Sequence, residues 1–224
     1  MAKLFIVPTP IGNLEDLTFR ALRLLKECDV IFAEDTRHTS KLLQHYSISK
    51  PLVSFHSQNE HKTLLSCIEK IKQNKNCVLV SDAGTPGISD PGFLLIRECI
   101  KQEIEVECLP GATAFVPALV MSGIPCNQFV FEGFLPQKKG RKTRIDLLAS
   151  EARTLVFYES PYRLSRLIEE LIVSFGGDRY AVVCRELSKI YEEKKRGNLL
   201  ELREYFLQHP PKGEIVVIVE GIKN

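Results

Sequence analysis

Glycine and proline gather at three places in this sequence where a ligand could be held. Pro8-Thr9-Pro10-Ile11-Gly12-Asn13, the long stretch from Ser81 through Gly84-Thr85-Pro86-Gly87 to Asp90-Pro91-Gly92, and Pro110-Gly111-Ala112-Thr113-Ala114 each follow a short apolar run. Glycine lets the backbone approach a ligand closely and proline fixes the turn. Any one such loop also reads as an ordinary tight turn. Three at the carboxyl ends of strands in one open α/β sheet would together line a ligand crevice. The chain has no G-x-G-x-x-G or G-x-x-x-x-G-K-[ST] motif, so nicotinamide and triphosphate cofactors have no positive support. Lys138-Lys139-Gly140-Arg141-Lys142-Thr143-Arg144 places five positive charges in seven residues. Such a run is either a solvated helix start or a phosphate-contacting patch, and here no acidic residue interrupts it. Lys194-Lys195-Arg196 is a weaker patch, offset by Glu192 and Glu193.

Other chemistries find no pattern. The five histidines form no H-x-x-x-H pair and the seven cysteines no C-x-x-C pair, so no metal site is expected. An odd cysteine count argues against a closed disulfide framework, and the thiols read as reduced and mostly buried. No G-x-S-x-G elbow suggests a hydrolase. With 30 Lys plus Arg against 28 Asp plus Glu the net charge is only +2, so any nucleic-acid footprint must be local. The first apolar run, Leu4 to Val7, is too short for a signal peptide, and no run approaches membrane-spanning length. A cytoplasmic location is the expectation.

The elements that must position these loops can be read from periodicity. At 224 residues and 44% hydrophobic content, the chain can build one large domain or two small ones. In the first half, strands are expected at Lys3 to Val7, Val30 to Ala33, Leu52 to Phe55, Cys77 to Val80 and Ile104 to Leu109. Helical patterns lie between them. Phe19 to Glu27 repeats at Phe19, Leu22 and Leu25 or Lys26, and Lys62 to Gln73 carries a stripe of Leu64, Leu65, Ile68 and Ile71. This alternation predicts a mostly parallel sheet flanked by helices. The second half has strands at Phe129 to Glu132, Thr154 to Tyr158, Ala181 to Arg185, near Ile190 to Lys195 and at Ile215 to Val219, with three helical patterns. A mixed or antiparallel sheet is expected there. Ser160 and Pro161 suit the cap and first position of a helix whose buried face is Leu164, Ile168 and Leu171. The fold class is therefore α/β in two domains, 1–116 and 117–224, with the boundary falling near Phe115 to Gly123.

Several longer stretches carry a family resemblance. They are Thr9-Pro10-Ile11-Gly12-Asn13-Leu14-Glu15-Asp16, Ala33-Glu34-Asp35-Thr36-Arg37, Ser81-Asp82-Ala83-Gly84-Thr85-Pro86 with Asp90-Pro91-Gly92, and Pro110-Gly111. Glu132-Gly133-Phe134-Leu135-Pro136, Tyr158-Glu159-Ser160-Pro161 and Arg185-Glu186-Leu187-Ser188-Lys189 continue the series. In order, over nearly the whole chain, they resemble the small-subunit ribosomal RNA methyltransferase I family of the tetrapyrrole-methylase superfamily. Tyr162 stands where that family's Tyr-Glu-Ser-Pro-His-Arg pattern has histidine. The resemblance implies two α/β domains with S-adenosylmethionine in the cleft between them, a homodimer, and methyl transfer to the ribose 2′-oxygen of a cytidine in the decoding region of 16S ribosomal RNA or of the small subunit. It implies cofactor contacts from Pro10, Asp82, Gly84, Thr85, Thr113 and Ala114 in the first domain and from Glu159, Leu187 and Gly213 in the second. Asp82 has a second reading as an Asp that turns its own loop.

A 2′-hydroxyl is a weak acid, so a general base or a cation beside the developing alkoxide would help it react. Asp35, Glu159 and Lys189 are the catalytic candidates, each with the competing reading of a structural ion pair. Lys138, Lys139, Arg141, Lys142 and Arg144 are the expected RNA contacts. Two rival functions remain open: a methyltransferase of the same fold acting on a small molecule or protein, and a non-catalytic module that binds S-adenosylmethionine or RNA.

Overall fold

The computed structural model describes residues 2–222. In the first unit five strands, β1 (Lys3–Ile6), β2 (Val30–Ala33), β3 (Leu52–Ser54), β4 (Asn76–Val80) and β5 (Glu105–Cys108), form one sheet in the order β3-β2-β4-β1-β5. Every pairing in it is parallel. Parallel strands need crossovers, supplied by α1 (Phe19–Glu27), α2 (Thr36–His45), α3 (Glu60–Gln73) and α4 (Phe93–Lys101). Two apolar clusters cover the faces. Leu4, Ile6, Phe32 and Leu79 pack with Cys67, Ile68 and Ile71 of α3 and Leu95 of α4, while Phe5, Val7, Ile31 and Val78 pack with Leu24 and Leu25 of α1 and Leu43 of α2.

Leu22 and Leu25 of α1 and Leu64, Ile68 and Ile71 of α3 pack inward as expected, and each stripe loses one member to solvent. Phe19 is 94% exposed and Leu65 71% exposed. Thr18 caps α1 by accepting from Ala21 N, which turns Ala21, Leu24 and Leu25 inward and leaves Phe19 at the outer end. In α3 the small Cys67 takes the buried place that Leu65 was expected to fill.

The second unit begins at Ala114, ahead of the boundary read from the sequence, because α5 (Phe115–Ser122) packs on the second sheet. That sheet runs β6 (Phe129–Phe134), β7 (Thr154–Glu159), β10 (Ile215–Val219), β8 (Tyr180–Arg185), β9 (Glu193–Asn198). It is mixed, with β6 parallel to β7 and the other pairings antiparallel. The helices α6 (Arg141–Leu148), α7 (Leu164–Phe175) and α8 (Leu199–Gln208) cover one face around Leu155, Phe157, Val183 and Val217. Leu164, Ile168 and Leu171 are fully buried on α7, as their spacing requires. Ser160 and Pro161 open a 3₁₀ turn, Pro161–Arg163, ahead of α7, and Ser160 makes no side-chain cap.

The last hairpin is displaced from its predicted place. β9 starts at Glu193, opposite Arg185, so Ile190 and Tyr191 lie in the preceding loop. The reason is local, since Glu186 and Ser188 both adopt positive φ and fold the chain back before the ladder can begin.

Candidate functional site

In a parallel sheet all carboxyl ends reach one edge, and four of them knit together here. Thr9 and Gly84 form a two-bond bridge, each N–H donating to the other's carbonyl at 2.9 Å. Buried Thr9 also donates its hydroxyl to Ser81 O at 3.0 Å. Thr85 Oγ1 donates to Ala112 O at 3.0 Å, tying the long loop to the turn after β5. Gly111 lies against the Pro8 ring so closely that a Cβ would stand 2.6 Å from it, and only glycine fits that approach. The three glycine and proline loops are therefore one assembly, with Pro10 buried within it.

The end of β2 joins the same assembly through carboxylates. Asp82 Oδ1 accepts from Asp35 N at 3.0 Å, and Asp82 N donates to Glu34 Oε2 at 3.3 Å. Asp82 thus braces a neighbouring strand end, a role that neither sequence reading anticipated. Burial, with Asp82 and Asp35 close by, raises the pKa of Glu34. Sequence reasoning passed over Glu34, although an acidic residue directly after the fully buried Val30–Ala33 strand was a usable signal. Asp35 caps α2, accepting from Arg37 N at 2.8 Å and from its guanidinium at 3.1 and 2.7 Å. The Arg37 side chain holds the Asp35 carboxyl well below the usual carboxylate range.

In the second unit the ends of β6, β7 and β8 and the start of β10 share one sheet edge, because Ile215 lies opposite both Glu159 and Arg185 and Phe134 lies opposite Tyr158. Glu159 is 3% exposed and fully engaged. Its Oε1 accepts from Ser160 N and Arg163 Nε, and its Oε2 from Arg141 Nη2 at 3.2 Å. Arg141 is itself only 2% exposed, with further bonds to Glu170 at 2.6 Å and Pro136 O at 3.3 Å. This corrects the expectation that Arg141 contacts RNA: it shares the inner face of α6 with Ile145 and Leu148, a spacing of four and then three that the sequence already displayed. Lys142 pairs with Asp146 at 2.7 Å and Arg144 pairs with Glu132. Lys138 and Lys139 are exposed and have no ion pair among the described residues.

Lys189 bonds Glu186 and Glu214, each at 2.9 Å. Partial burial works against its charge, but the two carboxylates outweigh that and raise its pKa. Glu186 Oε1 also accepts from Glu214 N at 2.9 Å. The same carboxylate sits over Gly213, whose φ is +85°. Leu187 is buried, and Thr113 and Ala114 lead into α5. Among the described residues no group of three His, Cys, Asp or Glu could hold a metal, and no helix is long and apolar enough to cross a membrane.

Comparison with known proteins places this arrangement. The tetrapyrrole (corrin/porphyrin) methylase profile matches residues 3–203. The ribosomal RNA small subunit methyltransferase I of Haemophilus influenzae is 49% identical over 221 residues, 97% of this chain and 78% of that protein. Its counterpart from Thermotoga maritima is 46% identical over 99% of both chains. Among solved structures, diphthine synthase superposes with a TM-score of 0.73 at 14% identity, covering 98% of this chain and 90% of that one. Uroporphyrin-III C-methyltransferase of Thermus thermophilus, complexed with S-adenosylhomocysteine, gives 0.68 at 20% identity over 97% of both. Those two likenesses speak to fold, while the closer sequence matches carry kinship: the chain belongs to the tetrapyrrole methylase family and, within it, to the ribosomal RNA small subunit methyltransferase I group.

Proposed function

We propose that this chain methylates small-subunit ribosomal RNA, using S-adenosylmethionine to modify the ribose 2′-oxygen of a cytidine in the decoding region of 16S RNA. Family membership supports ribosomal RNA as substrate. The observation that carries the cofactor reading is the knitted loop assembly of the first unit, held by the Thr9–Gly84 backbone bridge, the Thr85 hydroxyl on Ala112 O and the close approach of Gly111 to the Pro8 ring. A set of neutral backbone donors and acceptors suits the polar edges of adenine and methionine, while the apolar Pro8 and Pro10 suit a sulfonium that water should not reach. S-adenosylmethionine supplies an electrophilic methyl group when bound. Pro10, Asp82, Gly84, Thr85 and Thr113 of the first unit are assigned to hold it, and Ala114, Leu187 and Gly213 are the second unit's own candidates for cofactor contact.

The polar residues divide by role. A carboxylate whose oxygens are already taken makes a poor base, so Asp35 and Glu159 are assigned to positioning, the first at the start of α2 and the second beneath the turn after β7. Lys189 stays protonated at neutral pH and serves as a cation beside the developing alkoxide. Lys138 and Lys139 are the leading phosphate contacts, with Lys142 and Arg144 behind them because each has an internal carboxylate. A homodimer acting in the cytoplasm completes the reading, on the strength of the family resemblance.

The decisive experiment incubates the protein and methyl-labelled S-adenosylmethionine with small ribosomal subunits from cells lacking the enzyme, followed by digestion to nucleosides. Label on the ribose of a cytidine is expected. Label on a nucleobase, or none, would overturn the assignment.

A further inference from the structure

The edge of the second sheet that carries Glu159 and Lys189 also presents two aromatic rings to solvent. Tyr162 is 96% exposed on the 3₁₀ turn after β7, and Tyr191 is 72% exposed in the loop after β8, beside Ile190 at 95%. Rings left in water keep both faces free for a flat partner.

Both rings stand on rigid supports. Pro161 precedes Tyr162, Arg163 N donates to Ser160 O at 2.9 Å, and Arg163 Nε is fixed at 2.7 Å by buried Glu159. In the second loop Lys189 N donates to Glu186 O at 3.0 Å, Glu192 N to Lys189 O at 3.1 Å, and Ser188 N to a Glu192 carboxylate oxygen at 2.8 Å. Little ordering entropy would be lost on binding.

The charge around them matches a polyanion. Lys138 and Lys139 follow β6 and Lys212 precedes β10; all three are exposed and have no ion pair among the described residues. Lysines interleaved with exposed rings along one edge suit a single nucleic-acid strand, whose phosphates the cations track and whose bases offer π-faces. A protein partner would favour a continuous apolar patch with few lysines.

We propose that Tyr162 and Tyr191 are base-stacking residues for unpaired nucleotides of the RNA substrate. This deepens the ribosomal RNA reading and rests on it. From β7 through β10 and β8 to β9 there are three strand spacings, roughly 14 Å in total, so the rings serve different nucleotides. Buried Arg141 and Glu159 then have a definite task, which is to hold the turn that carries Tyr162.

The test measures binding of fluorescein-labelled oligocytidylate by anisotropy across a salt series, for the parent protein and for Tyr162→Ala, Tyr191→Ala and the two Tyr→Phe variants. Both positions are on the surface, so each variant should keep the parent's melting temperature. Each alanine variant is expected to bind roughly 5- to 150-fold more weakly with an unchanged salt slope, and each phenylalanine variant to stay within about twofold of the parent. Alanine variants that bind within about twofold of a parent that does bind would overturn stacking and leave the RNA reading intact. A parent that binds no single strand at all would overturn stacking as well, and the RNA reading then stands or falls on the labelling of small subunits described above.

Discussion

Glu34 and Asp35 are neighbours in sequence whose carboxyls are pushed in opposite directions. Asp35 is held low by the Arg37 guanidinium and the N–H groups at the start of α2. Glu34 is raised by burial and by the nearby carboxylates Asp82 and Asp35, against the pull of Asp82 N and His56. A carboxyl with a raised folded-state pKa keeps its proton to higher pH than the unfolded chain does. Its favourable contribution is therefore present in acid, below the ordinary glutamate value, and is lost as pH rises through the folded value. Glu34→Gln keeps an acceptor for Asp82 N and carries no charge. The variant should be more stable than the parent near neutral pH, with the gap closing toward about pH 4. Urea midpoints at the two pH values check this, and a variant that is less stable at neutral pH would show that the ionised carboxylate supports the fold.

At the scale of elements, Glu186 ties the β8–β9 loop to the start of β10, and Gly213 makes room for its carboxylate. Glu186 receives Lys189 Nζ and Glu214 N over the face of Gly213, where φ is +85°. A methyl group at Gly213 would be strained by that φ and would collide with the Glu186 carboxylate, so Gly213→Ala should lower stability by about 2 kcal/mol or more. Denaturant unfolding reads this, and a parental midpoint would mean that the loop has another anchor. Much of this scale was legible in advance. The apolar, β-branched runs of β2, β4, β8 and β10 became strands because each fills a sheet interior, and Leu164, Ile168 and Leu171 of α7 point inward as helical spacing demands. What sequence did not disclose was decided by packing partners. Phe19 and Leu65 sit outward because Ala21 and Cys67 fit closer to their sheet, and β9 starts late because positive-φ turns at Glu186 and Ser188 cannot be told from strand by composition. The gathering of the three loops was legible, since parallel strands leave no other edge for them. The carboxylate brace between Glu34, Asp35 and Asp82 was not, because it joins residues 47 and 48 positions apart.

For the whole molecule, a net charge of +2 does not say which cations are available to an outside anion. Five positive residues between 138 and 144 looked equivalent in the sequence, yet the fold divides them sharply. Arg141 is sealed between Glu159 and Glu170, Lys142 is matched by Asp146 and Arg144 by Glu132, which leaves Lys138 and Lys139 as the exposed charges with no carboxylate partner among the described residues. Counterion release depends on phosphates that the protein newly neutralises, and a cation already paired internally releases fewer ions when it shifts to a phosphate. Replacing Lys138 and Lys139 together by serine should therefore lower the slope of log K against log salt for single-stranded RNA by about 1.4, at roughly 0.7 per phosphate contact. Arg144→Ser, which also leaves Glu132 unmatched, should change the slope by less than either lysine alone. Binding isotherms across a range of salt concentrations measure both, with oligocytidylate as the probe. Equal slopes for the parent and the double lysine variant would place the phosphate-tracking surface elsewhere on the protein, whereas a larger change for Arg144→Ser would mean that its pairing with Glu132 opens when RNA arrives.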